Sequence, residues 1–133
     1  AGFTAVTRDE SRHVSYGIWA LRKAVEAGHE ADIRRVVDHT LEPCMRVYAN
    51  PEIKLPDPRT LPVSSRVDPR EMWAFAIDSV TKRLRSAGVS REYISELDTR
   101  GWSIAWSAVE QYEERHGEEH PVRLWERAAV AAS

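Results

Sequence analysis

Glu10 and His13 stand three residues apart in the stretch Thr7-Arg8-Asp9-Glu10-Ser11-Arg12-His13-Val14-Ser15-Tyr16-Gly17. On a helix turning about 100° per residue the two side chains lie roughly 60° apart on one face, so both reach the same metal ion. A carboxylate and a neutral imidazole at that spacing are one helix's share of a carboxylate-bridged di-metal site. Phe3, Val6, Val14, Gly17, Leu21 and Ala24 fall on the same stripe, at the i, i+3, i+4, i+7 recurrence of a core-facing helix. Burying a lone carboxylate on such a stripe is costly. A cation shared between Glu10 and His13 removes the cost, and so does a direct hydrogen bond between them; the spacing leaves both open. Gly17 sacrifices about 1 kcal/mol of helix propensity relative to Ala and admits another backbone close by. Asp9 is placed to accept a hydrogen bond from the far nitrogen of a ligating His.

The spacing recurs twice more. In Glu26-x-x-His29 the glutamate points away from the apolar stripe and Gly28 ends the helix between the two, which describes a solvated helix end. Glu113-x-x-His116 shares a face with Trp106 and Val109. It lies, however, in the charge run Glu113-Glu114-Arg115-His116-Gly117-Glu118-Glu119-His120, and a run of that kind at a helix terminus reads as solvated surface.

The residues Arg8-Asp9-Glu10-Ser11-Arg12-His13-Val14-x-Tyr16-Gly17 resemble the second E-x-x-H helix of the ferritin-like proteins related to the ribonucleotide reductase small subunit, and are most similar to its ligand-binding oxidases. The resemblance covers about residues 2 to 28 and fades over 29 to 49. It implies a helical bundle in which this helix gives one glutamate and one histidine to an oxygen-activating centre of two iron ions or of manganese and iron. Glu10 and His13 are then metal ligands, Asp9 orients the imidazole, and no residue is assigned a catalytic role. Such a centre takes ligands from four helices, and this chain carries only the last pair. The resemblance therefore implies a C-terminal portion of a longer protein, its four remaining ligands upstream of Ala1. Alone, the chain is expected to be inactive and to associate with that missing segment or with itself as a homodimer. The substrate is a small molecule.

Composition sets the outer limits. The chain has 133 residues, 42% of them hydrophobic and 30% charged, which is ordinary globular usage and room for one module. A formal net charge of −2 gives no electrostatic footprint for nucleic acid, and no apolar run is long enough to span a bilayer. Cys44 is the single cysteine, which excludes an internal disulfide and suits a cytoplasmic setting. No strand signal, Gly-rich phosphate loop or nucleophile elbow is present.

The expected architecture is all-α, a ferritin-like bundle's C-terminal part with five to six helices in three stretches: 1–49 for the ligand helix and its partner, 50–69 for a Pro-rich extended connection, and 70–133 for accessory helices. The first helix runs from Gly2 to Ala27 and the second from Glu30 to Tyr48, with a kink at Pro43 and an apolar face of Ile33, Val36, Val37, Thr40, Leu41, Val47 and Tyr48. His39 reads as a local hydrogen-bond partner. Asp68-Pro69-Arg70-Glu71 is a helix start, followed by Trp73, Ile77, Val80 and Leu84 on one face and Gly88 as stop. Ser90 caps a short fourth helix to Leu97, Gly101 separates it from a fifth over Trp102 to His116, and His120-Pro121 opens a last one with Leu124 and Trp125. Trp19 points away from Glu10, so a later segment or a second subunit is expected to cover it.

Two other functions suit the same residues. One is the radical-generating small subunit of a ribonucleotide reductase, although the chain's end, Leu124 to Ser133, lacks the acidic aromatic tail of that enzyme. The other is a non-catalytic helical interaction module in which E-x-x-H is structural.

Overall fold

Each helix begins and ends where local chemistry requires it. Asp68 accepts a hydrogen bond from the Arg70 amide, and Pro69 occupies the first helical position, where its missing N–H costs nothing. Ser90 caps the next helix through the Tyr93 amide. Gly28 and Gly88, at φ of 88° and 91°, adopt the left-handed conformation that lets the amides of His29 and Val89 turn back to the carbonyls of Ala24 and Leu84.

The computed structural model describes residues 2–54, 60–62 and 67–131, with side chains over 11–51 and 67–131. The fold is all-α: among the described residues there are five helices, α1 (Gly2–Glu26), α2 (Glu30–Ala49), α3 (Pro69–Ala87), α4 (Arg91–His116) and α5 (Val122–Ala131). The Pro-rich connection, expected to be merely extended, includes an antiparallel ribbon of β1 (Glu52–Lys54) and β2 (Thr60–Pro62), with Ile53 opposite Leu61. Three-residue strands set among prolines are too short to leave an alternation to read in the sequence. Among the described residues no helix is long and apolar enough to cross a membrane.

The register of cross-helix bonds fixes the packing. Arg34 meets Ser90, Asp38 meets Tyr93 and Arg100, and Arg46 meets Gln111, so α2 and α4 run parallel. Trp73, near the start of α3, donates to the Tyr48 carbonyl near the end of α2, so α3 runs antiparallel to both. α1 packs chiefly on α3 through its last turns, where Leu21, Ala24 and Val25 join the core and Arg22 holds the Ser86 carbonyl at 2.7 Å. The core itself is Ile33, Leu41, Met45 and Ala49 of α2 with Trp73, Ile77 and Leu84 of α3, Tyr93, Ile94, Leu97, Ala105 and Val109 of α4, and Val122.

Three expectations are corrected here. α2 buries Ile33, Leu41, Met45 and Ala49 at four-residue multiples, and this stripe leaves Val36, Thr40, Val47 and Tyr48 exposed. α2 itself runs through Pro43 as one helix, to the extent expected. On α3, Thr81 is buried and Val80 is not. Finally, α4 is a single helix across Gly101. That glycine is there for close approach rather than as a break: a Cβ at position 101 would lie 2.9 Å from Ile77 Cγ1 and 3.0 Å from its Cδ1. Gly101→Ala gains about 1 kcal/mol of helix propensity but overpacks a buried branched side chain at a cost of about 2. A net loss of about 1 kcal/mol is expected in urea denaturation; a stabilised variant would refute the close-packing account.

Candidate functional site

α1 is unbroken across Asp9, Glu10 and His13, so the two candidate ligands stand on adjacent turns of one helix. The Glu10 and Asp9 side chains, like those of Phe3 and Val6, lie outside the described residues. His13 is exposed. Val14, expected on the core stripe, is also exposed, and a Cβ at Gly17 would meet nothing within 4 Å. The stripe therefore splits: Leu21 and Ala24 pack on the chain's own core, while His13, Val14 and Gly17 stand beside open space. On the side opposite Glu10 Trp19 is 53% exposed, its ring 5.7 Å from that of Tyr16, which is 68% exposed, so none of the described later helices covers Trp19.

Carboxylate and imidazole donors suit iron or manganese, and clear space one turn past His13 leaves room for further ligands. The motif turns fit one helix's share of a metal centre. Among the described residues no group of three or more His, Cys, Asp or Glu is placed to hold a metal ion.

The other two E-x-x-H pairs are engaged otherwise. Glu26 pairs with Lys23 at 2.6 Å and His29 faces Asp32 at 3.3 Å, all exposed, as a solvated helix end requires. His116 stacks on Tyr112 and places Nδ1 2.9 Å from the Tyr112 carbonyl. Glu113 turns away from it. The two Glu113 oxygens take Nε and Nη2 of Arg123 at 3.0 Å each, and the His120 amide adds a third bond at 3.0 Å. These donors hold the Glu113 carboxyl below the usual range, Arg123 first and the His120 amide with it, against the opposing effect of burial. His39 and Cys44 are exposed.

His120 overturns the reading of the charge run as solvated surface. It is 1% exposed. Its Nδ1 accepts from the Val122 amide at 3.1 Å, which fixes the proton on Nε2, and Nε2 donates to the Ala49 carbonyl at 2.9 Å. Trp73, fully buried, donates Nε1–H to the neighbouring Tyr48 carbonyl at 3.1 Å. Two ring N–H groups thus satisfy two of the orphan carbonyls at the end of α2. Trp73 also packs edge-on against Trp106 and Trp102, with centroids at 5.3 and 6.2 Å, while Arg123 lies over Trp106. The signal in the sequence was His120-Pro121 itself, a His before the Pro that opens a helix, but the acidic neighbours masked it.

A polar seam joins α2 to α4. Glu30 accepts the Ser90 amide and pairs with Arg34, which also donates to Ser90 Oγ at 2.7 Å. Asp38 accepts from Tyr93 Oη at 2.9 Å and from Arg100 at 2.8 Å. Burial pushes the Asp38 carboxyl up, yet these two donors outweigh it and hold the group below its ordinary value; burial, then Asp38, push the Tyr93 phenol up. Every one of these groups is partnered, so the seam is a structural lock rather than a reactive site. No protein-family model matches the chain, and no curated protein or solved structure is significantly similar to it.

Proposed function

We propose that this chain is the C-terminal part of an oxygen-activating di-metal oxidase of the ferritin-like family related to ribonucleotide reductase small subunits. Glu10 and His13 supply two of the metal ligands, and Asp9 orients the imidazole. The observation that carries the reading is the division of α1: its last turns pack on the chain's core while the turn from His13 to Gly17, in a helix unbroken through Glu10, stands beside open space. A helix that gives ligands to a centre shared with other helices needs that division. Two iron ions, or manganese and iron, when bound would supply the oxygen-activating chemistry; the chain's part is to present a carboxylate and an imidazole at fixed spacing. The remaining ligands and the small-molecule pocket come from segments upstream of Ala1, and Tyr16 and Trp19 offer an aromatic surface for a homodimer partner. The exposed Cys44 thiol suits a cytoplasmic setting.

Elemental analysis of the full-length protein after aerobic expression is the direct test, with about two metal ions per chain expected. Glu10→Ala and His13→Ala, each at an exposed turn or beside one, are expected to keep the helical circular dichroism and to lose the metal. Full retention of both ions in either variant contradicts the ligand assignment. A metal-free, folded full-length protein would instead favour the interaction module.

A further inference from the structure

A groove of about 610 Å³ runs between α3 and α4 on the side away from α2 and uses none of the residues discussed above as ligands. Its floor includes Ile77 and Ile94, both buried. Its charges are laid out in a repeated order. On α3 Asp78 precedes Arg85 by seven residues, and on α4 Arg91 precedes Asp98 by seven. Because the two helices run antiparallel, both arginines fall at one end of the groove and both aspartates two turns away. At 1.5 Å per residue that separation is about 10 Å on either wall. Phe75 and Trp102 line the groove beyond the aspartates.

Among the described residues Arg85, Arg91 and Asp98 have no ion-pair or side-chain hydrogen-bond partner; Asp78 pairs with Lys82 at 2.5 Å, both exposed. An exposed pair of that kind is weak and exchangeable. Two forked guanidinium groups lining one end of a groove from separate helices suit a carboxylate, and two carboxylates lining it two turns away suit an ammonium. The charges of the groove sum to zero, so a ligand carrying one of each sign leaves none unpaired, whereas a polyanion must pass its charge by the aspartates.

We propose that this groove binds a linear zwitterion whose ammonium and carboxylate lie about 10 Å apart, the chemistry of a short peptide with free ends. Three extended residues span about 10 Å. The carboxylate sits on Arg85 and Arg91, the ammonium between Asp78 and Asp98, and the first side chain of the peptide against Phe75 and Trp102. An apolar side chain there covers part of both rings.

Titration calorimetry of the chain with trialanine, N-acetyl-trialanine and trialanine amide tests this. Trialanine is expected to bind, and each blocked form to bind at least about tenfold more weakly, since each lacks one of the two charge contacts. The double variant Arg85→Gln, Arg91→Gln should lose affinity for trialanine but not for its amide, and Asp98→Asn should lose affinity for trialanine but not for the N-acetyl form. All three side chains are exposed, so the fold should survive the changes, checked by circular dichroism. Equal binding of free and blocked peptides overturns the proposal, as does absence of binding. Binding of adenosine diphosphate in place of the peptide would reassign the arginines to phosphate and overturn it too.

Discussion

Trp73→Ala is expected to remove about 4 kcal/mol of stability, a large share of what a domain of this size possesses. The indole is fully buried, it is the centre on which Trp102 and Trp106 pack edge-on, and its N–H is the partner of the Tyr48 carbonyl. Truncation therefore opens a large cavity and orphans a carbonyl at a helix end, and neither loss is recoverable by small shifts in a close-packed core. Trp73→Phe separates the two contributions. It retains much of the ring packing but not the N–H, so about 2 kcal/mol of loss is expected. The measurement is guanidinium denaturation, with the midpoint falling and the slope unchanged. A Trp73→Ala variant within about 1 kcal/mol of the parent would mean that the aromatic cluster is not the keystone of the α2–α3–α4 layer.

The second large effect lies at His120. Its geometry fixes one tautomer: Nδ1 must stay unprotonated to accept the Val122 amide while Nε2–H is held by the Ala49 carbonyl. Burial lowers the imidazole below its ordinary value of 6.5; the Ala49 carbonyl and Glu113 oppose that shift without cancelling it, and Arg123 adds to it. A base depressed in the folded state contributes its full stability above the unfolded value and loses it as pH falls through the folded one. The protein should therefore weaken as acidification takes the pH below the ordinary imidazole value of 6.5. His120→Phe fills similar space but leaves the Ala49 carbonyl and the Val122 amide without partners, at a cost of about 2 kcal/mol at neutral pH. The same variant should lose stability less steeply over that acid interval than the parent. Parallel pH curves for parent and variant would remove His120 as the sensitive group.

What was legible in the sequence was punctuation. Gly28, Gly88, Asp68-Pro69 and Ser90 act within a turn of themselves, and a local signal needs no knowledge of the rest of the chain. Gly101 misled because a breaker and a close-approach glycine look alike until Ile77 is seen across the gap. The faces of α2 and α3 were shifted by preferring Val36, Val47 and Val80 over Met45, Ala49 and Thr81. Hydrophobicity ranked those residues, but the neighbouring helices chose them. His120 was hidden because a charge run is read by its average, whereas burial is decided residue by residue. At the candidate metal site the spacing of Glu10 and His13 was plain in the sequence, as was the outward Trp19. The exposure of His13 and Val14 was not, since a stripe continuous in sequence gives no notice of where its packing partner changes.

The Glu30 carboxylate that accepts the Ser90 amide belongs to a residue sixty positions earlier in the chain. A capping box ordinarily closes within one turn; here its acidic half is borrowed from another helix. The start of α4 consequently has no complete cap until α2 has docked alongside it. In amide hydrogen exchange the Ser90 N–H becomes a reporter of that docking: its protection should follow the opening of the whole α2–α4 seam rather than the fraying of a single helix end. Glu30→Ala should let that one proton exchange freely while the middle of α4 stays slow.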